Sequence, residues 1–306
     1  MIPIKHYNND NPILHKKDVD FFCEKLLERR NKISTLDKWC EAHLPTENGK
    51  KYTFRDVVKA TPEKLVLLKQ HLDSLGDTAL DDINDELYNH DKNGNRKSSY
   101  IIDTLYGNMG DKAKDLLATS LNVKVCPYCN RNYVYSYNGV HTCQFDHFFS
   151  KSKYPILAVS FYNLIPVCGG CNHKKSDKDF LFNPHLAEKE IFRFSYSITN
   201  ADFYKNENSV EVEIFDDDGM YREQMDILKL RDIYQGHRDI ITDLARKHLM
   251  FSDTYIEALA REFEDISEAE VKELIYGVPL SVENAGNRPL SKFTRDILKE
   301  MEETKN

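Results

Sequence analysis

Residues 126–132 read CPYCNRN, residues 168–173 read CGGCNH, and CQFDHFF lies between them at 143–149. Thiolates, imidazoles and carboxylates are the side chains that hold metals and move protons. Cys126, Cys129, Cys168 and Cys171 form two C-x2-C pairs. Two intervening residues make a knuckle that aims both sulfurs at one ion. Two knuckles complete a tetrahedral four-sulfur site, the closed arrangement of structural zinc. A thioredoxin-like dithiol would need a βαβ context that neither pair has, and an odd total of seven cysteines argues against a disulfide framework. Cys23 and Cys40 fall on helical segments and read as core, and Cys143 reads as a buried neighbour of the site.

The rest of the chain has to position these residues. Its 306 residues are 41% hydrophobic and include 17 Tyr and 16 Phe, enough for a substantial core. The net charge of -8 excludes a histone-like polycation, so a nucleic-acid contact would need a local basic patch. The opening MIPIKHYNNDNPILHKKD carries no apolar run of the secretory kind, and the longest apolar runs, such as LVLL, are too short to span a bilayer. A cytoplasmic protein without membrane partners is expected, and there paired cysteines favour metal over disulfide.

Three regions follow from the pattern. Residues 1–120 read as helical: Phe22, Leu26, Ile33, Leu36 and Trp39 recur at helical spacing. Thr61-Pro62 starts a helix that Gly76 should end, and DKAKDLLATSLN is a further helix. HDKNGNRKSS at 90–99 reads as a polar break. In residues 121–185, NYVYSY and a strand carrying TCQFDHF flank Asn138-Gly139, a hairpin signal. In residues 186–306, FRFSYSI and VEVEIF alternate as strands of a small antiparallel sheet. DDDG at 216–219 is a turn, SEAE at 267–270 a capping box for a helix ending at Gly277, and SKFTRDILKEM a last helix. The class is α+β, mostly helical.

An Asp-His pair after the first knuckle, Asn163-Leu164 before the second, and Asn172 with Lys174 and Lys175 after the last cysteine together resemble the HNH endonuclease family. The resemblance covers about residues 121–180 and implies a ββα-metal core, here pinned by zinc. It implies a catalytic set of His147 as general base, Asp146 and Asn172 as ligands of Mg2+ or Mn2+, and Asn163 as the brace of the loop that orients the histidine. An imidazole titrates near working pH, and carboxylate and amide oxygens suit a hard cation, so the chemistry agrees. The family's last position is often His; here it is Asn172 followed by His173, which makes His173 a second possible ligand.

Lys151, Lys153, Lys174 and Lys175 make the region locally basic, the pattern that contacts phosphates without reading sequence. CPYCNRNY, DHFFSKSKYP, SFYNLIPVC and a late RPLSKFTRDI resemble, more specifically, HNH proteins encoded beside ATPases in Septu-type and retron-associated bacterial defence modules. That resemblance implies a nuclease acting on DNA, or on RNA, with an ATPase partner. The competing expectation is a non-catalytic zinc module that binds nucleic acid or protein, which would not need Asp146 and His147 beside Asn172.

Overall fold

The computed structural model describes residues 1–4, 12–28, 30–263 and 265–303, with side chains in the first helix from residue 16. Residues 5–11 and 29 of the expected N-terminal helical region, and 264 and 304–306 of the C-terminal one, lie outside it. The class is α+β: helices make up about half of the chain and the strands pair into small two-stranded antiparallel sheets. No helix among the described residues is long and apolar enough to cross a membrane. The chain divides into two compact units, one of residues 4–123 and 134–186, the other of residues 1–3, 124–133 and 187–306.

In the first of these units, the apolar stripe read across residues 18–44 is carried by two helices, Pro12–Leu27 and Ile33–His43. Phe22, Leu26, Leu36 and Trp39 are buried, whereas Ile33, at the start of the second helix, is only half-buried. Phe22 meets Phe161 edge-on at 5.3 Å, and Phe161 meets Tyr162 at 4.9 Å. The helix Pro62–Ser74 starts as expected, with the Thr61 hydroxyl accepting from the Lys64 amide and Pro62 at the first position. The polar stretch at 90–99 is more than a break: Tyr88–His90 and Arg96–Ser99 pair as a hairpin whose turn is held by Asp91 Oδ1, which accepts from the Asn93 and Asn95 amides.

That hairpin leads into a wide π-helical segment, Tyr100–Tyr106. Ser99 caps it by accepting from the Ile102 amide, and Asp103 returns the favour by accepting from the Ser99 amide at 2.7 Å. Ile101 and Leu105, four apart, are wholly buried and fix its orientation. Seven residues are too few to show a period, so the amino-acid pattern carries no signal for this segment.

The Asn138-Gly139 turn is present, with φ of 49° and 80°, the left-handed pair that a tight two-residue hairpin turn requires. Its arms are shorter than expected, Ser136–Tyr137 with Val140–His141. The expected second arm, TCQFDHF, belongs elsewhere: Gln144–His147 pairs antiparallel with Leu164–Val167, so that Asp146 lies opposite Ile165 and His147 opposite Leu164. The reason is burial. Phe145, Asp146 and His147 are all buried, and LIPV is a wholly buried run that gives them a partner. The helix Gly169–Lys175 follows directly.

In the other unit, Arg193–Ile198 pairs with Val210–Phe215 over six residue pairs, as the alternation of both strands requires. Phe194, Tyr234 and Phe293 pack as an aromatic cluster with centroids 4.3–5.3 Å apart. Ser267 and Glu270 form the capping box and Gly277 ends the helix in the left-handed conformation, φ 76°. The helix Ser291–Glu303 closes the described chain.

Candidate metal and catalytic site

The sulfurs of Cys126, Cys129, Cys168 and Cys171 all lie within 4.8 Å of one another, and all four residues are buried. A tetrahedral zinc with Zn–S near 2.3 Å needs sulfur–sulfur edges of about 3.8 Å, so the donor set fits such an ion. The first knuckle is closed by the Cys126 amide donating to Asn132 O at 2.9 Å and the Asn130 amide to Cys126 O at 2.8 Å. Asn132 Nδ2 points at Cys129 Sγ from 4.0 Å, a donor suited to a thiolate. Asn130 is left-handed at φ 52°, a conformation its short amide tolerates. Its side chain is buried and stitched down: Nδ2 donates to Ala285 O at 2.9 Å and Oδ1 accepts from the Lys292 amide at 3.0 Å. The second knuckle opens a helix, with the Asn172 amide donating to Cys168 O at 3.0 Å. Cys23, Cys40 and Cys143 stand outside the cluster, all buried, and burial pushes the Cys143 thiol up to about 11.

A cleft of about 410 Å³ gathers Asp146, His147, Lys151, Asn172 and His173, and adds Tyr106. His147 is buried, and its ring lies 4.4 Å from that of Tyr106. Its Nε2 has no hydrogen-bond partner among the described residues, while the Ala158 backbone bonds to the ring. Burial, then the charges of Lys151 and Lys175, push its pKa down to about 3, so the imidazole is neutral across the physiological range. A neutral ring with one nitrogen committed to the backbone presents the other as a proton acceptor.

Asn163 is wholly buried and spans the loop after His147. Its Oδ1 accepts from the Phe149 amide at 2.7 Å, its Nδ2 donates to Phe149 O and Leu157 O, and its own carbonyl accepts from the Phe148 amide. Asn172 is half-buried and donates through Nδ2 to Gln144 Oε1 at 2.7 Å. His173 is exposed at the mouth.

The four lysines separate. Lys151 sits at the cleft, its ammonium 4.9 Å from the Tyr106 ring centre. Lys174 is half-buried on the last turn of the helix. Lys153 is drawn aside by two carboxylates, 3.3 Å from Asp77 and 3.9 Å from Asp73. Lys175, expected at the phosphate, has no exposed surface at all. Its ammonium lies 3.2 and 3.1 Å from the two oxygens of Asp146 and donates to His147 O at 2.9 Å. The spacing could have disclosed this: Lys175 is four residues after the buried Cys171, hence on the inward side of the helix. Tyr106 had no such signal.

Two measurements check this site. Purified protein should carry stoichiometric zinc, and Cys126→Ser or Cys171→Ser should lose it and melt at lower temperature, because a structural ion supplies folding free energy; full metal content with an unchanged melt would remove the four-sulfur site. Lys175→Met should cost about 3–5 kcal/mol, the scale for breaking a buried pair, by removing the ammonium beside the buried Asp146 carboxylate. Adding Asp146→Asn should recover part of that loss in urea unfolding, whereas strictly additive losses would mean the two groups are not coupled.

Comparison with family models, with curated proteins and with solved structures found no match.

Proposed function

We propose that this chain is a metal-dependent endonuclease of the HNH type that hydrolyses phosphodiester bonds in nucleic acid, with DNA the favoured substrate. The observation that carries the reading is the state of His147: a buried neutral imidazole whose Nε2 has no hydrogen-bond partner among the described residues, in a residue that lines a cleft together with Asp146 and Asn172. A histidine kept neutral and oriented is suited to take a proton from an attacking water. Lys151, at the same cleft, places positive charge where a phosphate would sit. A phosphate there would offset the lysine charges, which are the lesser cause of the lowered His147 pKa after burial.

The donor set suits a hard cation of the Mg2+ or Mn2+ kind, which takes one or two carboxylates and leaves positions for phosphate and water. Asp146 and Asn172 would hold it, with His173 next in reach at the mouth. Lys175 does not preclude this, because a carboxylate offers about four lone-pair sites. Such an ion would polarise the phosphate and stabilise the leaving oxygen. The chain's own residues do the rest: Asn163 fixes the loop behind His147, and Tyr106 walls the ring in.

The test is cleavage of DNA and RNA with Mg2+ or Mn2+. His147→Ala should lose activity by at least about a hundredfold, the lower range for a general base, with unchanged zinc content and melting. A variant that cleaves at the wild-type rate would overturn the assignment. A wild type inactive on every nucleic acid while binding one tightly would favour the non-catalytic zinc module.

The defence role and the ATPase partner rest on the sequence resemblance. Exposed apolar side chains on the helices Arg238–Met250 and Glu268–Tyr276 give a docking protein something to cover: Leu249, Met250 and Leu274 are 67–74% exposed. The chain and an ATPase encoded beside its gene should therefore co-elute in size-exclusion chromatography at micromolar concentration. Separate elution with and without ATP removes the partner.

A further inference from the structure

The π-helical segment Tyr100–Tyr106 reaches a different cleft at each end. Tyr106 walls the cleft of His147, and Tyr100 lines a second cleft of about 330 Å³. That second cleft is framed by three aromatic rings, Trp39, Tyr88 and Tyr100, and by Lys32 and Lys38 at its edge. Nothing in the proposed reaction uses it.

Its walls are built rather than incidental. Trp39 Nε1 donates to Ile83 O at 2.9 Å, which satisfies the indole's polar atom and fixes the ring. The Arg96 guanidinium lies 4.9 Å from the Tyr88 ring centre and is itself anchored on Asp85 and Asp81. The Lys32 ammonium lies 5.6 Å from the Tyr100 ring centre. Lys32 and Lys38 are both exposed residues of the cleft lining. Glu86, the acid of the lining, faces His43 Nε2 at 3.1 Å. Thr35 and Asn89 complete the polar edge.

Flat rings beside lysines are the arrangement that receives a base and its phosphate. The rings offer stacking surface to any base, and the lysines take the backbone charge. A volume above 300 Å³ with mostly apolar walls and a few polar groups is also the usual size of a small-ligand pocket. An acidic ligand without a ring would leave three aromatics unused, and an apolar one would leave two lysines unused. We propose that this cleft binds a nucleotide, either free or as an unpaired residue of a nucleic-acid strand, through stacking on the half-buried Tyr100 and phosphate contact with Lys32, with the buried Trp39 as part of the cleft wall. The strand form rests on the nuclease reading, since the π-helical segment would then carry Tyr106 at the cleavage cleft and Tyr100 at a holding site. The free form does not.

Trp39 is the chain's single tryptophan, so its emission reports this cleft in the intact protein and requires no cleavage. The full chain is titrated, without added divalent ion, with AMP, with inorganic phosphate and with a short single-stranded oligonucleotide. AMP or the oligonucleotide should change the emission saturably, and phosphate alone should not. Tyr100→Ala should weaken binding by roughly 5- to 150-fold, the stacking contribution of one base. Lys32→Glu, a surface change that leaves the rings intact, should weaken it and flatten its salt dependence. An oligonucleotide much tighter than AMP assigns the strand, and equal affinities assign the free nucleotide. No emission change with either ligand, or affinities untouched by both variants, overturns the site. Because no readout depends on hydrolysis, an inactive enzyme that still shows the Trp39 response would refute the nuclease reading and leave this one standing.

Discussion

A lysine with no exposed surface must be paired, and Lys175 is paired with an aspartate that is itself buried. Either charge alone at that depth would be strongly unfavourable, so each makes the other admissible. The consequence is geometric. Lys175 stands on the helix that begins at the second knuckle, and Asp146 stands on the strand that ends at His147. The ammonium also takes the His147 carbonyl, which ties the backbone of the proposed base to the same helix. This ionic contact, the Asn163 brace and the Asn172 hydrogen bond to Gln144 together keep His147, Asp146 and Asn172 in place.

The first knuckle relies on an amide. Asn130 follows Cys129 in a left-handed turn and uses its side chain, with its carbonyl, to hold the segment from Ala285 to Lys292. The Tyr234 hydroxyl donates to Cys129 O at 2.5 Å from the aromatic cluster of that unit. The stretches CPYCNRN and RPLSKFTRDI, remote in sequence, thus share one hydrogen-bond network. Knuckle geometry is set by neutral donors and acceptors. The four cysteines gathered there could hold a metal ion such as zinc.

Much of this was legible from local chemistry. The cap at Thr61-Pro62, the box at Ser267 and Glu270, and the Asn138-Gly139 turn depend on a few adjacent residues, and each stands where local rules put it. The cysteine cluster was legible because C-x2-C spacing is itself geometric. Strand pairing was not. Gln144–His147 has an adjacent hairpin arm available and instead pairs with a run twenty residues on, because that run buries its inner face. The role of Lys175 was missed because lysine is read by charge, and burial depends on which side of a seven-residue helix it occupies. Tyr106 was missed because a π-helical turn has no recognisable period.

The same electrostatics explain how an acidic chain can present a site for an anion. The net charge of -8 is a sum over the whole surface, and a cleft responds to what lies within about a Debye length, near 8 Å at physiological salt. Around His147 that neighbourhood holds Lys151 and Lys175, whose charges add to burial, the larger cause, in lowering its pKa. Lys175 is cancelled over distance by Asp146, so its field is short-ranged and serves structure. Lys151, resting on the Tyr106 ring, keeps its charge in the open cleft. Two lysines of similar sequence standing thus divide the work: one is spent inside to fix a carboxylate, and the other faces the cleft, where an anion would meet it.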